Sequence, residues 1–310
     1  MESLNRMALE LVDEAMEFAD ELAIEVQELD NGAVVLDFGV EAVGGIEAGL
    51  LLTEIQTGGL ASVQIAVEEV ADCPLTAVEL SCDHPAVALL CGQKAGWELS
   101  VGDFEGLGSG PARALVAEEE EFTRTGYRDT ADFAVLAVES EDLPGEAVAE
   151  HVAEMTGVPP SSVFLPTFST ASPTGSVALA ARAAELAAFR LSELGYDPLD
   201  ILTATGSAPV APVAADEETA MARTNDALAY GGRVHLTVDS PFDRFEEVAS
   251  IVGDEFDGPF EALFAAHDWE FSELPVEVFA PAQVTIDVVG EGVEVVGTTD
   301  ESMLAESFGL

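Results

Sequence analysis

The balance of charge constrains this chain more than any other feature of its sequence. It carries 60 aspartate and glutamate residues against 10 lysine and arginine residues, for a formal net charge of -50. Nevertheless, 48% of the residues are hydrophobic and the mean hydropathy is +0.26, whereas disordered acidic chains have low hydrophobicity. The sequence therefore predicts a folded protein whose acids cover its surface.

The excess of acids also predicts the solvent and limits the partners. Such a surface repels itself in dilute salt, but at molar salt the screening length falls to about 3 Å and the repulsion largely disappears. We therefore expect a halophilic, cytoplasmic protein. Nucleic acid and anionic membranes are excluded as partners because they require a basic surface. The start of the chain lacks the cationic and apolar regions of a signal peptide, and no stretch approaches the roughly 20 apolar residues of a spanning helix.

Cations are so rare here that each one is a candidate for a specific role. Lys94 is the only lysine of the chain. The cysteines Cys73, Cys82 and Cys91 lie nine residues apart and form no C-x-x-C pair, so we expect reduced, buried thiols. The four histidines show no metal-ligand spacing. The histidines therefore predict no metal site.

Hydrophobic periodicity predicts helices that alternate with short strands, which indicates a mixed α/β (α+β) fold. An Asn31-Gly32 turn between two apolar runs predicts a hairpin. Four consecutive acids at 118–121 predict a solvated segment and an approximate boundary between an N-terminal domain, 1–125, and a C-terminal domain, 126–310. The predicted helices are 3–22, 112–117, 146–156, 175–194, 217–230 and 301–308; the predicted strands are 24–29, 33–38, 61–66, 75–80, 86–91, 131–138, 162–168, 201–205, 233–238 and 283–289.

A glycine-rich stretch, Gly106-Leu107-Gly108-Ser109-Gly110-Pro111-Ala112-Arg113, is the first candidate site. Glycines let the backbone approach a ligand, and free N–H groups at a helix start favour anions. The stretch is not a dinucleotide fingerprint, because Pro111 stands where the last glycine is needed, and it is not a P-loop, because no Gly-Lys-Ser/Thr follows. Two interpretations stay open: an anion site aided by Arg113, or a tight turn closed by a proline.

The second candidate is the turn 170–176 and the helix that follows it. Arg182 and Glu185 lie three residues apart and share one helix face. The rest of this helix is nearly all alanine, valine and leucine, which predicts burial around its circumference. A charged pair in such a helix must be paired or face a cavity. An arginine favours the ionised form of its carboxylate neighbour, and an ionised, partly desolvated glutamate can activate water. The alternative is a structural ion pair.

The sequence as a whole resembles the methenyltetrahydromethanopterin cyclohydrolase family of archaeal one-carbon metabolism. The resemblance runs essentially end to end. It rests on the order and spacing of six segments: 44–59, 91–97, 108–115, 170–185, 205–212 and 223–233.

The resemblance implies a homotrimer of two-domain subunits, with the active-site pocket between the domains and no cofactor other than the pterin substrate. The family hydrolyses the N5,N10-methenyl bridge to a 5-formyl group, reversibly. The bridge is a cationic amidinium, so the reaction needs only a positioned water and a proton acceptor. The resemblance implies Glu185 as that acceptor and Arg182 as its support. It also implies substrate contacts from Gln93, Lys94, Gly108, Ser109, Gly110, Arg113, Ser172 and Thr174.

One segment departs from the family. In methane producers the residues after G-S-G-P-A-R are rich in lysine, whereas here they are Val116-Ala117-Glu118-Glu119-Glu120-Glu121. Either this segment is solvent surface, or the carrier has a different tail and is of the folate type. Two other functions stay open: a non-catalytic pterin-binding protein, and an unrelated hydrolase that uses Glu185 on another cyclic amidine.

Overall fold

A computed structural model describes residues 2–252, 256, 258–267, 269 and 274–310. It confirms the mixed α/β class, since helices alternate with strands that form two sheets. The helices are α1 (Leu4–Glu17), α2 (Ala19–Leu22), α3 (Ile46–Gln56), α4 (Arg113–Val116), α5 (Glu120–Thr125), α6 (Glu146–Thr156), α7 (Pro173–Ala180), α8 (Ala183–Leu194), α9 (Glu217–Gly231), α10 (Phe260–Ala266) and α11 (Glu301–Phe308). A π-helix spans Ala86–Gln93, and single turns of 3-10 helix occur at Pro160–Ser162, Pro198–Asp200, Phe245–Glu247 and Val276–Val278.

The strands are β1 (Glu25–Glu28), β2 (Val34–Gly39), β3 (Ala61–Val70), β4 (Cys73–Cys82), β5 (Trp97–Val101), β6 (Phe104–Ser109), β7 (Ala134–Val135), β8 (Ala137–Glu139), β9 (Val163–Phe168), β10 (Ile201–Pro209), β11 (Arg233–Val238), β12 (Gln283–Val288) and β13 (Gly292–Gly297). The hairpin predicted at Asn31-Gly32 is confirmed, because β1 and β2 pair antiparallel. Residues 86–91, predicted as a strand, instead form the π-helix, so this prediction is wrong. An unbroken apolar run does not distinguish a buried strand from a buried helix.

The chain divides into two compact units that interleave along the sequence. The first contains residues up to Ser62 together with Val87–Ala178. Its strands follow the order β1-β2-β9-β8-β6-β5, with β7 also paired to β9. The boundary predicted near residue 125 lies inside this unit. The reason is strand pairing at long range: β9 lies parallel to β2 and completes the sheet that the N-terminal hairpin begins.

Helix α6 shows how the sequence builds the first unit. Four apolar residues at helical spacing, Val148, Ala149, Val152 and Ala153, are buried and join the core cluster formed by the strands. Gly157 ends the helix in a left-handed conformation with φ of 75°, which glycine adopts without steric cost. The helix predicted over 146–156 is confirmed.

The second unit contains Val63–Ala86 and Leu179–Leu310. Its strands follow the order β13-β12-β11-β10-β4-β3. One face of this sheet carries buried apolar residues in register, for example Leu80, Val234 and Val284. Helices α8 and α9 pack against β10. This sheet therefore supports the start of α8, where Arg182 and Glu185 lie.

A buried aspartate joins three helices of the second unit. Asp226 of α9 has no exposed surface. Its Oδ1 accepts a hydrogen bond of 2.9 Å from the backbone N–H of Phe260, the first residue of α10. Its Oδ2 accepts one of 2.6 Å from the hydroxyl of Ser307 in α11. Burial, with smaller contributions from the charges of Glu261 and Glu306, raises the pKa of Asp226 to about 7.

The raised pKa of Asp226 predicts a loss of stability as the pH rises. The folded chain holds a proton that the unfolded carboxyl releases near pH 4, so the stabilisation is complete below pH 4 and is lost as the pH rises to about 7. We expect Asp226→Asn to remove this dependence and to exceed the parent in free energy of unfolding at pH 8 by on the order of 3 kcal/mol. Denaturant unfolding in molar KCl at pH 5 and pH 8 measures it.

Asp216 provides the control for this measurement. It lies at the N-terminal cap of the same helix, α9, and is exposed; its side chain accepts from the backbone N–H of Thr219, which lowers its pKa. Asn is an equally good cap residue, so Asp216→Asn should leave the loss between pH 5 and pH 8 unchanged. If the free energy of unfolding of Asp226→Asn falls between pH 5 and pH 8 as much as that of the parent, Asp226 is not the cause of the pH dependence.

Candidate functional site

The helix predicted over 175–194 is interrupted where its charged pair lies. Helix α7 ends at Ala180 and α8 begins at Ala183, so that Arg182 is the cap residue of α8 with φ of -85° and ψ of -4°. The prediction of one continuous helix is therefore wrong. The interruption places Arg182 at the first turn, where its side chain keeps 22% of its exposure while that of Glu185 keeps 1%.

Arg182 and Glu185 form an ion pair that engages one carboxylate oxygen. Both the Nε and an Nη atom of Arg182 lie 2.9 Å from Oε2 of Glu185. Glu185 lies in the first turn of α8, where the unpaired backbone N–H groups and the helix dipole stabilise negative charge. The arginine and the helix start together stabilise a carboxylate that has almost no contact with water.

The other oxygen of Glu185 is left without a hydrogen-bond partner in the described part of the chain. Oε1 is buried, and none of the residues that the structure describes forms a hydrogen bond with it. Buried polar atoms are satisfied in native proteins, and an orphan acceptor is costly. Oε2 is held and Oε1 is left over, so Glu185 has one oxygen available to accept a hydrogen bond from water or a ligand.

A close backbone contact fixes the start of α8. Gly206 lies in β10, and a Cβ atom at this position would lie 2.7 Å from the backbone nitrogen of Ala184 and 2.9 Å from its Cβ. Only glycine allows the helix to approach the strand this closely. Ala184 stands between Arg182 and Glu185, so Gly206 determines where both side chains begin.

The other predicted site residues belong to the first unit. Two of them, Gln93 and Lys94, lie in residues 91–97, which we call the lysine segment. The π-helix ends at Gln93, which is 1% exposed. Its i→i+5 pattern includes a bond of 2.8 Å from the N–H of Lys94 to the carbonyl of Leu89. Helix ends leave carbonyl groups without partners. Here Arg113 supplies the donors, to the carbonyls of Leu90, Gly92 and Lys94 at 2.6 to 3.3 Å.

The guanidinium of Arg113 is fully engaged by protein groups. Besides the three carbonyls, its Nε and one Nη donate to the two oxygens of Glu119 at 2.9 and 2.6 Å, which uses all five N–H donors. Its side chain has no exposed surface. Gly96 makes room for the pair, since a Cβ there would lie 2.0 Å from Glu119 Oε2. The sequence predicts a substrate contact for Arg113; the structure favours a role in positioning the lysine segment.

The lone lysine lies between two of the consecutive acids. The Nζ of Lys94 is 3.1 Å from Glu121 Oε1 and 3.6 Å from Glu119 Oε2, with 16% of its side chain exposed. Glu120 pairs with Arg124 one helical turn on. Three of the four acids at 118–121 are therefore neutralised by cations. We call Lys94, Arg113, Glu119 and Glu121 the lysine cluster.

The glycine-rich stretch is strand rather than loop. Gly108 and Ser109 lie in β6, and Gly110 follows with φ of 97°. Helix α4 contains only 4 residues. Of the two interpretations, the structure favours the turn over an anion site at a helix start.

Ser172 and Thr174 bind neighbouring backbone. The hydroxyl of Ser172 donates to the carbonyl of Ser169 at 2.7 Å and accepts from the N–H of Gly175 at 2.9 Å. The hydroxyl of Thr174 accepts from the N–H of Gly45 at 3.1 Å. Both side chains are buried. Ser172 closes the turn before α7, and Thr174, within α7, binds the loop before α3.

Gln56 is a polar residue that the sequence analysis did not single out. It ends α3 and is 4% exposed. Its Nε2 donates to the hydroxyl of Ser109 at 3.0 Å, and its Oε1 is buried without a hydrogen-bond partner among the described residues. The available signal was an amide on the apolar face of a helix, four residues after the fully buried Leu52.

Metal-ligating and thiol groups elsewhere in the described residues do not cluster into a site of either kind. Within the described part of the chain, no three potential metal ligands are grouped closely enough to hold an ion. The three cysteines form no disulfide within the described residues, and burial raises the pKa of Cys82 and Cys91 to about 11 each. A depression of about 400 Å³ in the first unit is lined by Trp97, Val116, Glu118, Glu119 and Met155. No described helix has the length and apolar character needed to cross a bilayer.

Comparison with known proteins places the chain in a family. The model of the family described as "Cyclohydrolase (MCH)" matches residues 3–308. A methenyltetrahydromethanopterin cyclohydrolase of Halobacterium salinarum is 59% identical over 310 residues, covering 100% of both chains. Enzymes of the same name from Methanothermobacter marburgensis and Methanospirillum hungatei are 39% and 37% identical and cover 100% of this chain and 100% and 99% of their own. The chain therefore belongs to the cyclohydrolase (MCH) family.

Proposed function

We propose that this protein hydrolyses the N5,N10-methenyl bridge of a tetrahydropterin one-carbon carrier, methenyltetrahydromethanopterin, to the 5-formyl form. The name shared by the relatives supports the reaction. The observation that carries the proposal is the half-engaged carboxylate of Glu185, with Oε2 held by Arg182 and Oε1 buried without a partner among the described residues. The reaction requires a proton acceptor that holds water.

Glu185 activates the water. A water bonded to Oε1 donates a proton to the carboxylate while its oxygen adds to the carbon of the methenyl bridge. The cationic amidinium becomes a neutral hydroxylated adduct. Glu185 then returns the proton to N10 as the carbon–N10 bond breaks, and the adduct's hydroxyl proton leaves to solvent. The products are the 5-formyl pterin and one released proton; the same steps run backwards when formyl carrier and acid accumulate.

Arg182 supports this cycle because it orients the Glu185 carboxylate and because its positive charge stabilises that carboxylate. Its two contacts hold Oε2, so the carboxylate cannot rotate and Oε1 keeps one position. Fixed orientation of this kind lowers the entropic part of the barrier. No cofactor besides the carrier is part of the proposal, and we propose a cytoplasmic homotrimer as the working form.

Glu185→Gln separates binding from hydrolysis. Glutamine keeps the size and the hydrogen-bonding capacity but cannot take a proton at neutral pH. We expect kcat to fall by about 10² to 10⁴ and KM to change little. Loss of methenyl absorbance in molar KCl measures both constants. The matched control is Glu193→Gln, an exposed glutamate of the same helix; near-normal turnover in Glu185→Gln would overturn the assignment.

Lys94→Gln tests a binding role for the lone ammonium. Lys94 retains 16% exposure, and its loss leaves the largely buried Glu121 without its cation. We expect the free energy of unfolding to fall by about 1–3 kcal/mol and, because Lys94 binds substrate, KM to rise about tenfold. The control is Arg124→Gln, which removes an exposed pair with Glu120 and should change neither. A lower stability with unchanged KM would make Lys94 a structural cation.

The carrier is tested by direct comparison. The acids at 118–121 are mostly neutralised by cations, so their number does not require a carrier without an anionic tail. We expect kcat/KM to be higher for methenyltetrahydromethanopterin than for methenyltetrahydrofolate. The reverse order would favour a folate-type carrier. Binding of either pterin without turnover would favour the second candidate, a non-catalytic binding protein, against which the orphan oxygen of Glu185 speaks.

Salt should control assembly. The screening length grows from about 3 Å at 1 M to about 10 Å at 0.1 M salt, so a chain with a net charge of -50 repels its copies more strongly as salt is removed. We expect trimer and activity to be lost together as KCl falls below about 0.5 M. Sedimentation and turnover across a KCl series measure this; a trimer that persists in 0.1 M KCl would contradict it.

A further inference from the structure

Gln56 and Ser109 together present one free donor and one free acceptor in a buried place. As placed, Nε2 of Gln56 donates to the hydroxyl of Ser109 at 3.0 Å. The amide oxygen is then left without a partner among the described residues, and the hydroxyl proton has no acceptor there either. Each side chain is 4% exposed, so bulk water does not satisfy them.

The Gln56–Ser109 pair offers a free donor and a free acceptor whichever way the amide is turned. If oxygen and nitrogen of the Gln56 amide exchange places, Ser109 donates to the oxygen and the NH₂ group is left over, while the hydroxyl oxygen can still accept. Either orientation leaves one donor beside one acceptor. A buried amide with an unsatisfied atom costs stability, and such costs are retained where a ligand supplies the missing bonds.

The surrounding residues make this pair uncharged and rigid. Gln56 lies at the last turn of α3, and Ser109 is the last residue of β6. The next residue, Gly110, donates its N–H to the carbonyl of Gly92 at 2.8 Å, which ties β6 to the lysine segment. Among the described residues, neither side chain forms a hydrogen bond with a charged group, so the ligand that matches the pair is a neutral group with a donor next to an acceptor.

We propose that Gln56 and Ser109 bind the lactam edge of the pterin ring, the ring N–H at position 3 and the carbonyl at position 4. The ring N–H donates to the Gln56 amide oxygen, and the Ser109 hydroxyl donates to the ring carbonyl. Both atoms are covered in the ligand-free chain, so the ring displaces the covering atoms when it binds. This assignment rests on the proposed function, because it names the residues that recognise the substrate of that reaction.

Two probes with opposite patterns test the assignment. A 4-oxo tetrahydropterin presents N–H at position 3 and an acceptor at position 4; its 2,4-diamino counterpart presents an acceptor at position 3 and a donor at position 4. Both probes are measured as competitive inhibitors of hydrolysis by the parent protein. We expect the 4-oxo probe to bind at least about tenfold more tightly than the 2,4-diamino probe. We expect Gln56→Met and Ser109→Ala to reduce this preference at least about threefold each, to raise KM about tenfold and to leave kcat within about twofold.

The control substitution is Gln64→Met. Gln64 lies exposed on β3 and donates to Glu79 at 2.9 Å, so its loss should leave the probe preference and KM unchanged. The double variant Gln56→Met with Ser109→Ala should lose little more than either single one, because the two side chains act as a unit. If Gln56→Met does not fold, Ser109→Ala alone decides the matter.

The contrary outcomes are distinct from failure of the proposed function. If Gln56 and Ser109 only hold a structural water, both variants unfold at lower temperature with an unchanged probe preference, which overturns the assignment. Hydrolysis that depends on Glu185 would survive that result. If the parent protein hydrolyses no methenyl pterin, the proposed function fails, and titration calorimetry of the two probes then decides the assignment: a preference for the 4-oxo probe supports it, and equal binding overturns it.

Discussion

The pairing of scarce cations with carboxylates organises the parts of this chain that carry chemistry. Four of the ion-paired cations are at most 22% exposed: Arg113, Lys94, Arg182 and Arg190, the last of which contacts Glu277. Removing one partner of a buried pair leaves an uncompensated charge and is strongly destabilising. In a chain with 10 cations, each buried pair therefore fixes a segment that nothing else would hold.

The two most buried arrangements differ in what they leave unsatisfied. Glu119 uses both oxygens on Arg113, whose remaining donors bind three carbonyls, so that arrangement is closed. Glu185 uses one oxygen on Arg182 and keeps the other. The same chemical pair thus serves structure in one place and is suited to reaction in the other. The two pairs are distinguished by how many of their polar atoms have hydrogen-bond partners. Residue identity or burial alone does not distinguish them.

Sequence patterns located the elements well where periodicity and end signals agree, as in the helix Glu146–Thr156 and the strand Arg233–Val238. They missed the π-helix Ala86–Gln93, because an apolar run without period fits both a strand and a buried helix. They missed the interruption at Arg182, because alanine and valine favour no particular break. The interleaved units depend on pairing of β2 with β9, which lie over 120 residues apart. No local pattern encodes that pairing.

The residues of the candidate site, too, were predicted from the sequence only in part. The sequence predicted Arg182 and Glu185 from a charged pair in an apolar helix, and the structure brings them into contact. It did not predict that protein groups would occupy all donors of Arg113. Three of its partners are backbone carbonyls, which every residue carries, so the sequence does not identify them. Gln56 escaped notice because one amide at the end of a helix is common; only its orphan oxygen makes it informative.

The solvent gives the uncharged pair a physical rationale. Molar salt screens exposed charges to within about 3 Å, so recognition of a carrier by exposed cations loses much of its strength in such a cell. Hydrogen bonds between neutral groups in a place closed to water are not weakened in this way. Gln56 and Ser109 are neutral and buried, and the buried Arg113 is already neutralised by Glu119. If Gln56 and Ser109 recognise the carrier as proposed, the acidic surface can vary without disturbing that recognition.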